Sequence, residues 1–156
     1  MTDIYLSVSL EAKQAFDTDA VTRRLGVEPT QIRKLGTPMH PGHGALYKYS
    51  SWEWDTAHIS ADDAGSLIAQ AAAMFQSRAA AMRELADEYG GNWAIVLDGY
   101  IHSGDAPTVL LPPDFVEFCA AIGAIFQYVI DISYDYASKG GADRGTAEDR
   151  PDTHRG

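Results

Sequence analysis

Ile4-Tyr5-Leu6-Ser7-Val8-Ser9-Leu10-Glu11 is the stretch on which the fold turns. In an extended chain, Ile4, Leu6, Val8 and Leu10 fall on one face and Tyr5, Ser7, Ser9 and Glu11 on the other. Strict alternation of this kind marks a strand with one face buried and one face wet. The sheet that contains it is therefore covered on one side.

The segments that follow keep to this scheme. Asp17 or Thr18 is placed to cap a short helix carrying Ala20, Val21 and Leu25, and Gly26 stops it. Residues 27–44 hold three prolines and three glycines with no period, and are read as an irregular connection. A second strand, rich in Tyr and Trp, is expected over about 45–57. Ser60 and Asp63 have the S-x-x-D spacing of a capping box. The helix behind them carries Leu67, Ala71, Met74, Phe75, Met82, Leu85 and Tyr89 at three-to-four spacing, and Gly90-Gly91 ends it. Arg78 is the one charge in that apolar stripe. Residues 93–102 read as a third strand. Pro112-Pro113-Asp114 opens a helix with Phe115, Phe118, Cys119 and Ile122 turned inward, and 127–136 alternates again.

The order is β-α-β-α-β-α-β. It predicts an α+β, two-layer sandwich: a mixed or antiparallel sheet with helices on one face. One domain over 1–136 and a disordered polar tail over 137–156 are expected.

A family resemblance follows from these residues. The opening strand leads to Thr18-Asp19-Ala20-Val21-Thr22-Arg23-Arg24-Leu25-Gly26-Val27-Glu28-Pro29-Thr30 and then Lys34-Leu35-Gly36. Trp52, the helix over 62–89 and Asp131-Ile132-Ser133-Tyr134 complete the pattern. Together they resemble the bacterial family catalogued as domain of unknown function 4279, over about residues 3–136. The resemblance implies the fold and its boundaries, and carries no catalytic residue with it.

Composition narrows the function. The chain has 156 residues, 46% of them hydrophobic, a net charge of −10 and one cysteine, Cys119. A single cysteine allows no internal disulfide, and there is no basic-then-apolar leader and no apolar run near the roughly 20 residues of a membrane span. A cytoplasmic location away from membranes is expected. From Glu84 to Asp135 there are nine acidic residues and no Lys or Arg. Nucleic acid needs cations against its phosphates, so direct nucleic-acid binding is not expected, whereas a basic protein would be attracted. Oligomeric state is not legible.

Several constellations invite chemistry. His40 and His43, with Asp55 and His58, lack the spacing of a zinc site, and no metal or cofactor is expected. Cys119 sits on an apolar helix face, where nothing lowers its pKa. Asp98, Asp131 and Asp135 read as the solvated or acidic face of the sheet. Trp52 and Trp54 share one strand face, opposite Tyr47 and Tyr49. Arg33, Lys34 and Lys48, after Arg23 and Arg24, gather positive charge around one loop.

No nucleophile elbow, phosphate loop or H-E-x-x-H helix is present, and the reading leans away from an enzyme. The expectation is a protein-interaction module that uses Trp52, Trp54 and the adjoining loop, or the acidic face with Asp131 and Asp135. One form of this is immunity-type masking of a basic protein. The alternative is a small-molecule or anion site, or an unrecognised enzyme, near the 27–58 loop and strand, with Arg33, Lys34, His40, His43 and Trp52 around a pocket.

Overall fold

The computed structural model describes residues 3–42, 44–60 and 63–133. The expected tail over 137–156, together with His43 and Asp135, lies outside them. In chain order the elements are β1 (Asp3–Ala12), α1 (Thr18–Leu25), β2 (Gln31–Arg33), β3 (Ser50–Asp55) and α2 (Ala64–Phe75). A 3-10 turn (Gln76–Arg78) then leads to α3 (Ala79–Tyr89), β4 (Asn92–His102), α4 (Pro113–Ile122) and β5 (Ile125–Ser133). The strands form one sheet in the order β2-β3-β1-β4-β5. All neighbours are antiparallel except β4 and β5. Those two run parallel because the chain crosses back through α4. The result is the mixed, two-layer α+β sandwich that the alternation implied.

β1 lies at the centre and sets both layers. Leu10 faces Trp52 on one side and Trp93 on the other, and Leu6 faces Leu97. This face, with Ile4, Val8 and Ile95, is fully buried beneath Leu67, Phe75, Met82, Leu85, Phe115 and Ile122 of the helices. Trp52 is packed edge-on against Phe75 and Trp93, at 6.4 and 6.1 Å between ring centres. Both buried indoles find acceptors: Trp52 Nε1 donates to Thr22 Oγ1 at 3.0 Å and Trp93 Nε1 to the Met82 carbonyl at 2.7 Å. The polar end of each ring is thereby satisfied, as burial demands.

The helix ends follow the sequence signals closely. Asp17 Oδ1 accepts from Ala20 N at 3.0 Å, and Gly26, Gly90 and Gly123 are the left-handed residues that stop α1, α3 and α4. The capping box at Ser60 does not form. Asp63 occupies the N-cap position of α2 without a side-chain bond, and its N–H donates to the Ser60 carbonyl at 3.3 Å.

Two departures are instructive. The single long helix expected before Gly90 is broken at Gln76–Arg78, and Arg78 explains how the break is held. Its Nε donates to the Leu25 carbonyl at 2.6 Å, at the end of α1, and its Nη1 to the Met74 carbonyl. The charge inside the apolar stripe thus serves two helix-end carbonyls, one at the break and one at the end of α1. The supposedly irregular 27–44 stretch is the second departure. β2 pairs with β3, and beyond it Gly36 N bonds the Tyr47 carbonyl, Tyr47 N the Thr37 carbonyl and Met39 N the Ala45 carbonyl, each at 2.9 Å. The connection is therefore an extended hairpin.

Candidate functional site

The sheet face opposite the helices carries the polar chemistry. Antiparallel and parallel partners share a face, so the registers place Tyr5, Ser7, Ser9 and Glu11 of β1 beside Ser51, Glu53 and Asp55 of β3 and Ala94, Val96 and Asp98 of β4. Arg33 of β2, and Ile125, Gln127 and Asp131 of β5, complete it. Small side chains run along the middle and large ones stand at the margins. That gradient of size makes a groove.

The groove has a volume of about 280 Å³, with Ser7, Ser9, Ala94 and Val96 along it and Tyr5, Tyr49, Arg33, Glu53 and Asp98 around it. Ser7 and Ser9 are 8% and 4% exposed. Neither hydroxyl has a hydrogen-bond partner among the described residues. Their polar ends face the groove and nothing else.

Charge in the groove is unbalanced. Arg33 is its one guanidinium, and it is already committed: Nη1 lies 2.8 Å from Glu53 Oε2 and Nη2 2.7 Å from Gln31 Oε1. Burial alone would lower the Arg33 pKa; the Glu53 carboxylate more than reverses this, and Arg33 stays charged. Glu11 and Asp98 have no cation within ion-pair distance among the described residues. Asp98 Oδ2 accepts from the Tyr5 hydroxyl at 3.3 Å. Burial and the Asp98 carboxylate push the Tyr5 phenol up to about 12, so it remains a donor. Tyr5 also stacks on His58 at 4.4 Å, and His58 Nδ1 lies 3.0 Å from Asp3 Oδ1.

Asp55 is the odd member of this face. Its Oδ1 is buried without a hydrogen-bond partner, and burial with the neighbouring Glu53 charge raises its pKa to about 6. Glu53 and Asp55 thus form a pair of carboxyls with different environments, the arrangement that acid–base work requires. Asp55 is not part of the groove lining, however, and its buried oxygen has no route to a substrate.

A second, larger hollow of about 770 Å³ adjoins the groove and shares Glu11, Tyr49, Ala94 and Ile125 with it. It lies where β1 ends and β4 and β5 begin, between Lys13, Lys48, Gly90 and Gly123. Two lysines suggest an anion at first sight. The negative carbonyl ends of α3 and α4 reach the same rim at Gly90 and Gly123, and Glu11 joins them, so the lysine charge is offset locally.

The residues singled out from sequence are divided by the fold. Arg33 and Trp52 lie on opposite faces of the sheet, since Arg33 registers with Ser51 and Ile32 with Trp52. Trp52 is fully buried, which removes it from any binding surface. Trp54 is half-buried against Phe75 on the helix side, 5.2 Å between ring centres. Lys34 and His40 are exposed on the hairpin, away from the buried indole. Of the five residues proposed around one pocket, the four that are described are therefore not brought together. Arg24, expected near the same loop, instead reaches Glu84 and Glu88 of α3 at 2.8 and 2.7 Å.

Asp98 and Asp131 do share the open face, on neighbouring strands. Cys119 is half-buried and its thiol is pushed up by burial. Among the described residues no group of three or more His, Cys, Asp or Glu is arranged to hold a metal, and no helix is long and apolar enough to cross a membrane. The sequence reading passed over Ser7, Ser9, Glu11 and Glu53. The signal that would have found them was the contrast of small serines between a tyrosine and a glutamate on the wet face of β1.

Residues 2–133 match the family Domain of unknown function (DUF4279). No curated protein matches the chain, and no solved structure does.

Proposed function

This chain belongs to the DUF4279 family, and we propose that it is a non-catalytic docking module whose open sheet face captures a basic protein in the cytoplasm. The observation that carries the reading is the charge of that face. Asp3, Glu11, Glu53, Asp55, Asp98 and Asp131 stand on it against the guanidinium of Arg33, which Glu53 already neutralises. Neither β4 nor β5 carries a Lys or Arg to offset these carboxylates. Such a surface steers a cationic partner and repels nucleic acid. Masking a basic protein, as an immunity protein masks a toxin, is one use of this surface.

The test is capture of basic proteins by the purified chain at about 0.05 M and 0.5 M salt, beside the double variant Asp98→Asn/Asp131→Asn. Both positions are on the open face, so the fold should persist, with a melting temperature within about 2 °C of wild type. One basic protein held at low salt, released at high salt and not held by the double variant is the expected result. Capture that ignores both salt and the two substitutions would remove the acidic face from consideration.

A further inference from the structure

The serine-floored groove is more selective than its charge alone implies, and the spacing of its acceptors says for what. Ser7 and Ser9 are two apart on β1, so their side chains emerge from the same face about 7 Å apart. Both are more than nine-tenths buried, line the groove and lack partners among the described residues. A ligand that satisfies both must present two hydrogen-bonding groups across that distance, and beside Asp98 and Glu11 cationic donors are favoured over acceptors. A single ammonium nitrogen between two hydrogen bonds spans at most about 6 Å. A guanidinium, with donors on three nitrogens in a rigid plane, bridges about 8 Å.

The walls agree with the floor. Tyr5, two residues before Ser7 on the same face, presents an aromatic ring at the groove, and a planar guanidinium stacks on such a ring where a compact ammonium does not. Asp98 and Glu11 supply carboxylate charge without a cation of their own. A volume of about 280 Å³ admits one long side chain and excludes a folded element.

We propose that the groove is a subsite for one arginine side chain of the docked partner, with the guanidinium bridging the Ser7 and Ser9 hydroxyls beside the ring of Tyr5. This rests on the docking reading of the open face and adds the identity of the anchoring residue. Asp98 and Glu11 then neutralise the guest from either end, while Glu53, opposite Ser9, is already occupied by Arg33.

The experiment uses the full chain and four probes: N-acetyl-arginine methylamide, N-acetyl-lysine methylamide, and the peptides hexa-arginine and hexa-lysine as mimics of a basic surface. Binding is followed by backbone amide chemical shifts. The arginine amide should move Tyr5, Ser7, Ser9 and Asp98 and bind about fivefold or more tightly than the lysine amide. Ser7→Ala/Ser9→Ala should weaken the arginine amide about tenfold and leave the lysine amide and the unfolding midpoint in urea nearly unchanged. Equal affinity for the two amides, or shifts that avoid β1, would overturn the arginine subsite. If both hexapeptides still bind the open face equally in that case, the docking reading stands without it. If neither hexapeptide binds, the docking reading falls as well.

Discussion

Asp55→Asn should make this protein more stable at neutral pH and leave it unchanged in acid. The carboxyl has one oxygen buried without a partner and Glu53 close by, which raises its pKa from 3.8 to about 6. A raised carboxyl pKa means the folded state holds the proton more tightly than the unfolded chain. Its contribution is fully present below about pH 4 and is lost as pH rises through about 6. Two units would correspond to about 3 kcal/mol for a fully enclosed group. Asp55 is half-buried, and solvent screening reduces the expected effect to about 1 kcal/mol. Asparagine keeps the shape, cannot ionise, and offers an amide donor to the Glu53 carboxylate. Urea unfolding of both proteins at half-unit steps from pH 3 to 8 measures the difference directly, because titrations away from Asp55 and its neighbour Glu53 cancel. The curves should begin to separate near pH 4 and finish separating just above pH 6, with the variant ahead by about 1 kcal/mol at pH 7.5. A difference that stays flat across the range would refute the assignment of a raised pKa to Asp55.

Two further substitutions test the fold. At Gly99 an added Cβ would lie 2.4 Å from the Asp3 carbonyl oxygen and 2.8 Å from Ile4 Cα, both backbone atoms of β1. Gly99→Ala should cost about 3 kcal/mol and lower the melting temperature by roughly 10 °C in calorimetry; a loss under about 1 °C would contradict that contact. Arg78→Ala strands the carbonyls of Leu25 and Met74, and should cost about 2 kcal/mol in urea unfolding, with Arg78→Lys recovering only part of it because one ammonium cannot serve both.

Legibility differed from element to element for physical reasons. One-sided burial was readable in Ile4–Glu11 because a half-covered strand imposes a two-residue period, and glycine marked three helix ends because only it takes the left-handed turn at no steric cost. β2 was hidden: three residues between Pro29 and Pro38 are too few to show a period. The break at Gln76–Arg78 was hidden too, since no proline or glycine announces it. Trp52 and Trp54 read equally well as core or contact, and only the helices above them decide. The groove is the least legible feature. Its members come from five separate segments, and Ser7 and Ser9 look like any wet strand face until the tyrosines and carboxylates of other strands rise around them.

The strand order has a consequence for how the chain is made. β1 is translated before the other elements, yet it sits at the centre of the sheet, with Leu6 opposite Leu97 and Val8 opposite Ile95. Its second flank stays open until about ninety more residues have been added. At ordinary synthesis rates that is a wait of roughly 5–20 s, during which that edge's backbone groups stay unpaired beside the apolar face of Ile4, Leu6, Val8 and Leu10. Ser7, Ser9 and Glu11, alternating with those four, keep the nascent segment from presenting two sticky faces at once. The residues that line the finished groove thus also act as solubilising spacers during biosynthesis.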